Sequence, residues 1–199
     1  MIYEINNGNS KYFIEFNDKG KKIYEGEYLN GERNGKGKEF FDDKILYEGE
    51  YLNGIKKGKG KLYQDGKLIY EGEFSNDKRN GLGKEWENRD KYYEGEFIND
   101  KKNGKFKGYY KEGALFFERE YKNGEAIGTI KEYKNGQLSF EGEYFPNNIK
   151  KGKFYKNLEL IFEGEANSYG GRINGSGKEY LGNELVFEGT YKDYKKQEI

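Results

Sequence analysis

The sequence predicts an all-β protein: an elongated, single-layer antiparallel β-meander of about seven to eight β-hairpin repeats, twisted into a curved ribbon. Three observations predict it. A segment of the form YEGE-aromatic returns at Tyr24, Tyr47, Tyr70 and Tyr93, a period of 23 residues. Within each copy, apolar or glycine positions alternate with charged ones, the period of a strand. The composition, with 20 Tyr, 14 Phe and 30 Gly in 199 residues against one Met and one Pro, favours strands and tight turns over helix.

The elements follow in chain order. Residues 1–23 are read as an N-terminal capping hairpin or partial repeat. Residues 24–186 hold seven repeats, with degenerate copies starting at Phe117, Phe140 and Phe162. Residues 187–199 are a partial repeat, Phe187 to Tyr191, and a tail. In the first copy Tyr24, Gly26 and Tyr28 share one face and Glu25 and Glu27 the other. A loop of about six residues, Leu29 to Asn34, is expected to return the chain into Gly35 to Phe40. Pairing Tyr28 with Gly35 sets Glu27 opposite Lys36, Gly26 opposite Gly37, Glu25 opposite Lys38 and Ile23 opposite Phe40. Each Glu–Lys pair contributes roughly 0.2–1 kcal/mol, enough to fix register. Three-residue links such as Asp42-Asp43-Lys44, Asp65-Gly66-Lys67 and Asn135-Gly136-Gln137 are expected to preserve facing from copy to copy. Stacked hairpins would span roughly 70–80 Å.

Two apolar stripes result. One contains Tyr24, Tyr47 and Tyr70 beside Tyr28, Tyr51, Phe74 and Phe97. The other contains Phe40, Tyr63, Trp86 and Tyr109 beside Ile23, Leu46 and Ile69. A coiled single layer buries only one stripe well, so the second is expected to stay partly exposed. In the second Gly-x-Gly column Phe106, Ile130 and Phe154 replace glycine, beside Gly95, Arg119 and Gly142, so the first three repeats are expected to present a more open groove. Pro146 is placed in a loop.

Composition excludes much chemistry. Without His or Cys there is no Ser-His-Asp triad, thiolate cluster, imidazole metal site or disulfide framework. No catalytic, cofactor-binding or metal-binding residue is assigned. The recurring carboxylates Glu25/Glu27 and Glu94/Glu96 face lysines and read as a ladder. The Gly-x-Gly elements at Gly35, Gly58 and Gly81 open no helix, so they are not phosphate loops. Asp42, Asp43 and Asp65 read as turn residues, not calcium ligands. With 36 basic and 36 acidic residues, no net field favours nucleic acid, and none is expected as a partner. The local basic excess at Lys150, Lys151, Lys153 and Lys156, with Lys192, Lys195 and Lys196, reads as a solvated surface and, alternatively, as an anionic-phospholipid contact. The start shows neither a signal peptide nor a membrane span, which gives a cytoplasmic expectation and makes the sequon at Asn174 a chance match.

The pattern Tyr24, Gly26, Tyr28, Gly31, Asn34, Gly35 and Gly37, repeated at constant phase over about residues 12–195, resembles the membrane occupation and recognition nexus (MORN) repeat. The stretch around Tyr63 to Leu68 resembles MORN-variant proteins of antitoxin type. Such arrays accompany junctophilins, radial-spoke heads, lipid kinases and cytoskeletal scaffolds. The resemblance implies a non-enzymatic scaffold, with association to cytoskeleton or membrane. Arg119 and Ala166 depart from the pattern. The partner surface is assigned to Phe40, Tyr63, Trp86 and Tyr109, with Tyr28, Tyr51, Phe74 and Phe97 as the alternative face. The partner is another protein, with three further readings: a phospholipid surface, an enzyme held by an antitoxin or immunity-type inhibitor, and a second copy joined through the array ends.

Overall fold

The computed structural model describes residues 1–7, 10–145, 149–167, 175–192 and 195–197; Pro146 and Asn174 lie outside the described residues. Among the described residues there are eighteen strands and no helix, and the strands form an antiparallel hairpin meander. The chain divides into two units, Met1–Gly104 and Lys105–Ile199.

In the first unit the strands are β1 (Ile2–Asn7), β2 (Ser10–Phe16), β3 (Lys22–Leu29), β4 (Glu32–Phe41), β5 (Lys44–Leu52), β6 (Ile55–Gln64), β7 (Lys67–Ser75), β8 (Lys78–Trp86) and β9 (Lys91–Ile98), followed by the start of β10 (Lys101–Tyr110). The central register agrees with the sequence pattern: Glu25 faces Lys38 and Gly26 faces Gly37. The turns do not. Leu29 pairs with Glu32 and Tyr28 with Arg33, so the expected six-residue loop is a two-residue turn, Asn30-Gly31, with φ of 53° and 84°. Both residues are left-handed, as a turn matched to strand twist requires, and Asn-Gly is the pair that adopts it most readily. The extra residues are absorbed inside β4, where Asn34, Gly35 and Lys36 lie opposite the single residue Glu27. Gly35 (φ 91°) then pairs with Tyr51 of the next strand rather than with Tyr28.

The other side of the ribbon is corrected likewise. Asp42-Asp43 (φ 47° and 62°) and Asp65-Gly66 (φ 50° and 74°) are two-residue turns, not three-residue links. A bulge restores the facing that such a turn would invert: Glu39 pairs with Tyr47 but Phe40 with Ile45, leaving Leu46 as the inserted residue. Ile23 and Ile69 are inserted at the corresponding places against β2 and β6, and on its β5 side Phe40 is faced by Ile45.

The core lies on one face. Gly26, Gly37, Gly49, Gly60, Gly72, Gly83 and Gly95 pair in succession, a glycine lane across β3 to β9. Tyrosine rings lie flat on it: a methyl at Gly37 would sit 2.6 Å from Tyr24 Cζ. The lane is therefore the seat of Tyr24, Tyr47 and Tyr70, each 0% exposed, and not the open groove the sequence suggested. The rings interlock edge to face, with centroids 5.4 Å apart for Tyr47–Tyr51, 5.1 Å for Tyr47–Phe74 and 5.1 Å for Tyr70–Phe97. Each such contact contributes about 0.5–1.5 kcal/mol beyond its area.

The second unit contains the rest of β10 and β11 (Leu115–Lys122), β12 (Glu125–Lys134), β13 (Gln137–Phe145), β14 (Ile149–Lys156), β15 (Glu159–Asn167), β16 (Gly175–Leu181), β17 (Glu184–Lys192) and β18 (Lys195–Gln197). A second lane runs through Gly142, Gly152, Gly164, Gly177 and Gly189. Gly152, not Phe154, faces Gly142; Phe154 stands between Phe140 and Phe162. Ile130 does face Arg119 and Gly142, and Phe106 and Ile130 are buried. Buried phenylalanines, Phe140 and Phe162, here take the place of tyrosines over glycine.

Candidate functional site

What the aromatic core needs in a single layer is a cover, and charged side chains supply it. Arg33 Cζ lies 4.1 Å above the Tyr24 ring and Lys56 Nζ 4.8 Å above Tyr47, so the charged heads themselves roof the rings. Carboxylates two strands away, and for Arg33 also one on its own strand, hold these cations. Arg33 donates to Glu15 at 2.8 and 3.0 Å and to Glu39 at 2.9 Å, while Lys56 reaches Glu39 at 2.6 Å. The motif recurs as Lys102–Glu85 at 2.5 Å, Lys150–Glu132 at 2.7 Å and Lys196–Glu179 at 2.7 Å. Sequence reading missed it. Its signal is a glutamate followed 17 or 18 residues later by a cation, a spacing with meaning only once the turn size is known.

Electrostatics follow from this roof. Burial raises the Glu15 carboxyl, but hydrogen bonds from Arg33 and Tyr28 outweigh it and hold the pKa below the ordinary glutamate value. Glu85 is likewise lowered, burial being overcome by Lys102 and Arg79. Burial and the bond to Glu15 push Tyr28 up to about 12, and burial pushes Tyr70 to about 12. The buried Tyr51 hydroxyl meets no acceptor in good geometry, although burial and the nearby Glu39 charge both oppose its ionisation.

The alternative face assigned from sequence is this core. Tyr51, Phe74 and Phe97 are 3%, 4% and 0% exposed, and only Tyr28, half-buried against Glu15, reaches the surface.

The opposite face of the first unit carries the other stripe. Phe40, Tyr63 and Trp86 are all half-buried, faced by Ile45, Leu68 and Tyr92. The Trp86 and Tyr92 rings lie 6.1 Å apart at 37°, and Lys22 Nζ sits 4.0 Å over Phe40. Tyr109 is half-buried on β10, in the second unit. Beside the stripe runs the charge ladder, with Lys38–Glu48 at 3.4 Å, Lys61–Glu71 at 3.6 Å and Lys84–Glu94 at 3.4 Å.

A family model, the MORN repeat, matches at residues 24–44, 47–67, 70–91 and 93–105. Residues 24–105 carry MORN repeats. Each full match runs from the core tyrosine through one hairpin into the next turn, so what the three full matches share is the ring, its glycine lane and the left-handed turn that closes the hairpin. Beyond residue 105 the lane of Gly142 to Gly189 keeps the same geometry without a match to the MORN model. A search of curated proteins returns no match to the chain.

The lysines assigned to lipid headgroups are partly committed within the second unit. Lys150 binds Glu132 and lies 4.9 Å over the Tyr144 ring, and Lys151 binds Glu165 at 3.1 Å. Lys153 and Lys156 are exposed on β14. Among the described residues no cluster of acidic side chains is arranged to hold a metal ion. Asp42 and Asp43 serve their turn. Among the described residues no helix is long and apolar enough to cross a membrane.

Proposed function

We propose that the chain is a non-enzymatic scaffold that binds another protein through the Phe40, Tyr63 and Trp86 stripe, with Tyr109 as the equivalent position of the second unit. One observation carries the reading: of the two aromatic faces in the first unit, one is closed by its own Arg–Glu roof while the other leaves half-buried rings in a row. Rows of partly exposed rings rimmed by charge are favoured anchors, because aromatic side chains contribute disproportionately to binding. An enzyme held by an inhibitor of antitoxin type is one case of this reading, since the stripe needs only a complementary apolar surface. The test is capture of partners from the native source on immobilised protein, followed by mass spectrometry. Substituting Tyr63 and Trp86 together by Ser should abolish specific capture with the β-sheet circular dichroism unchanged. Capture that survives in a folded double variant overturns the assignment, and flotation of the chain with anionic vesicles would move it to a lipid surface.

A further inference from the structure

The stripe face of the first unit alternates strand by strand. On β4 and β6, lysines stand beside an aromatic residue: Lys38 with Phe40, Lys61 with Tyr63. On the strands between, glutamates stand beside aliphatic residues: Glu48 with Ile45 and Leu46 on β5, Glu71 with Leu68 and Ile69 on β7. In register, Lys38, Glu48, Lys61 and Glu71 form one row across four strands.

Such a row complements itself. A two-fold axis parallel to the strands, passing between β5 and β6, exchanges β5 with β6, β4 with β7 and β3 with β8. Every lysine strand then lies over a glutamate strand and every aromatic over an aliphatic. Lys38 meets Glu71 of the second copy, Lys61 meets Glu48, Phe40 meets Leu68 and Ile69, and Tyr63 meets Ile45 and Leu46. The geometry points to a second copy of this chain as an occupant of the stripe, packed face to face as an isologous dimer. The inference rests on the stripe being a docking surface and names one partner for it.

Size agrees with a reversible dimer. Six strands at about 4.8 Å and three rows of outward side chains give a footprint of roughly 600 Å² per copy. Both copies together bury about 1,200 Å², the lower edge of specific interfaces. Two sheets pack about 10 Å apart with strands within about 30° of parallel, which keeps the contact centred on β5 and β6.

Sedimentation equilibrium over a wide micromolar range tests this with two charge-reversed variants. The wild-type chain should show a monomer–dimer equilibrium. Lys38→Glu and Glu71→Lys should each raise the dissociation constant by at least about tenfold, because each brings like charges together. An equimolar mixture of the two should form a heterodimer, since one half of the two-fold contact then pairs the two reversed charges and the other half keeps the native Lys38–Glu71 pair. Within one chain β5 and β6 separate residues 38 and 71, so a structural fault in either variant would not be repaired by mixing. A wild-type chain that is monomeric throughout, or variants that dimerise as well as wild type, would overturn the inference. In a chain that stays monomeric, loss of heterologous capture on substituting Tyr63 and Trp86 would leave the proposed function standing. Dimerisation with capture that survives that substitution would support the dimer and remove the heterologous reading.

Discussion

Placing a side chain in the glycine lane is the most direct test of how this single layer is held together. A Cβ at Gly49 would stand 2.6 Å from Gly60 Cα and 2.7 Å from Lys59 O, with the Tyr47 hydroxyl nearer still. Two of these three neighbours are backbone of the adjacent strand, so the two strands must part locally, and the Tyr47 ring must lift as well. Lifting it gives up edge contacts to Tyr51 and Phe74, at about 0.5–1.5 kcal/mol each. It also loses the bond from the Tyr47 hydroxyl to Glu50 O at 3.2 Å, about 0.5–1.5 kcal/mol. Adding partial exposure of a side chain that is now 0% exposed, Gly49→Val should destabilise by about 3–4 kcal/mol. For a chain of this length that lowers Tm by roughly 8–12 °C. Glu50→Gln, one residue away on the exposed ladder, should change stability by less than about 0.5 kcal/mol. Thermal unfolding followed by circular dichroism and tyrosine fluorescence measures both. Equal losses in the two variants would show that the ring does not rest on the lane.

The left-handed glycines should separate into two kinds: Gly35→Ala is strained by its φ of 91° and by the Glu27 carboxylate packed on it, and should cost about 1–2 kcal/mol in urea unfolding, whereas Gly31→Asn, in open space, should be nearly neutral. Because Glu15 and Glu85 titrate lower folded than unfolded, the stability they contribute is present above the ordinary value of 4.5 and is lost as pH falls below it. Urea midpoints should therefore fall from pH 5 toward pH 3, and less steeply in Glu15→Gln, which starts about 1–2 kcal/mol lower because Arg33 loses its bidentate partner. The sign is reversed for Tyr28 and Tyr70: their raised values favour the neutral form, so this stability is intact below pH 10 and lost as pH rises toward 12. Phenolate absorbance at 295 nm should lag behind free tyrosine and then rise together with loss of the sheet signal; ionisation with normal values in a folded sheet would contradict the burial.

Much of the sheet was legible because its determinants are local. Alternation around Gly26 and Gly37 fixes which residues share a face, and the Glu25–Lys38 match fixes the central register without knowledge of any turn. The turns were misread because Glu32 and Arg33 look like loop residues beside Asn30-Gly31. In the structure both are paired strand residues, and Arg33 is drawn inward by Glu15. The bulge at Leu46 was equally hidden, since a three-residue link and a two-residue turn with one inserted residue preserve facing equally well. The groove expectation failed for a different reason: paired glycines read as empty space unless the Tyr24 ring is known to lie along the lane and not upright from it. The recurring Glu–cation roof depends on all three features and so could not be read before them.

The pairing scheme also governs how the chain reaches this state. In both units, the described partners sit on strands consecutive in sequence, many of them joined by two-residue turns, so most ladder contacts close loops of a few to about twenty residues. Folding speed follows contact order more than strand content, and β proteins are slow when their pairings are distant. This sheet has none of that penalty. A hairpin closed at Asn53-Gly54 offers both of its edges as templates at once, and zippering proceeds outward in each direction without waiting for a remote segment. Amide exchange should accordingly be slowest over the tyrosine-roofed lane of β4 to β7 and quicken strand by strand away from it, a gradient in place of a single cooperative step.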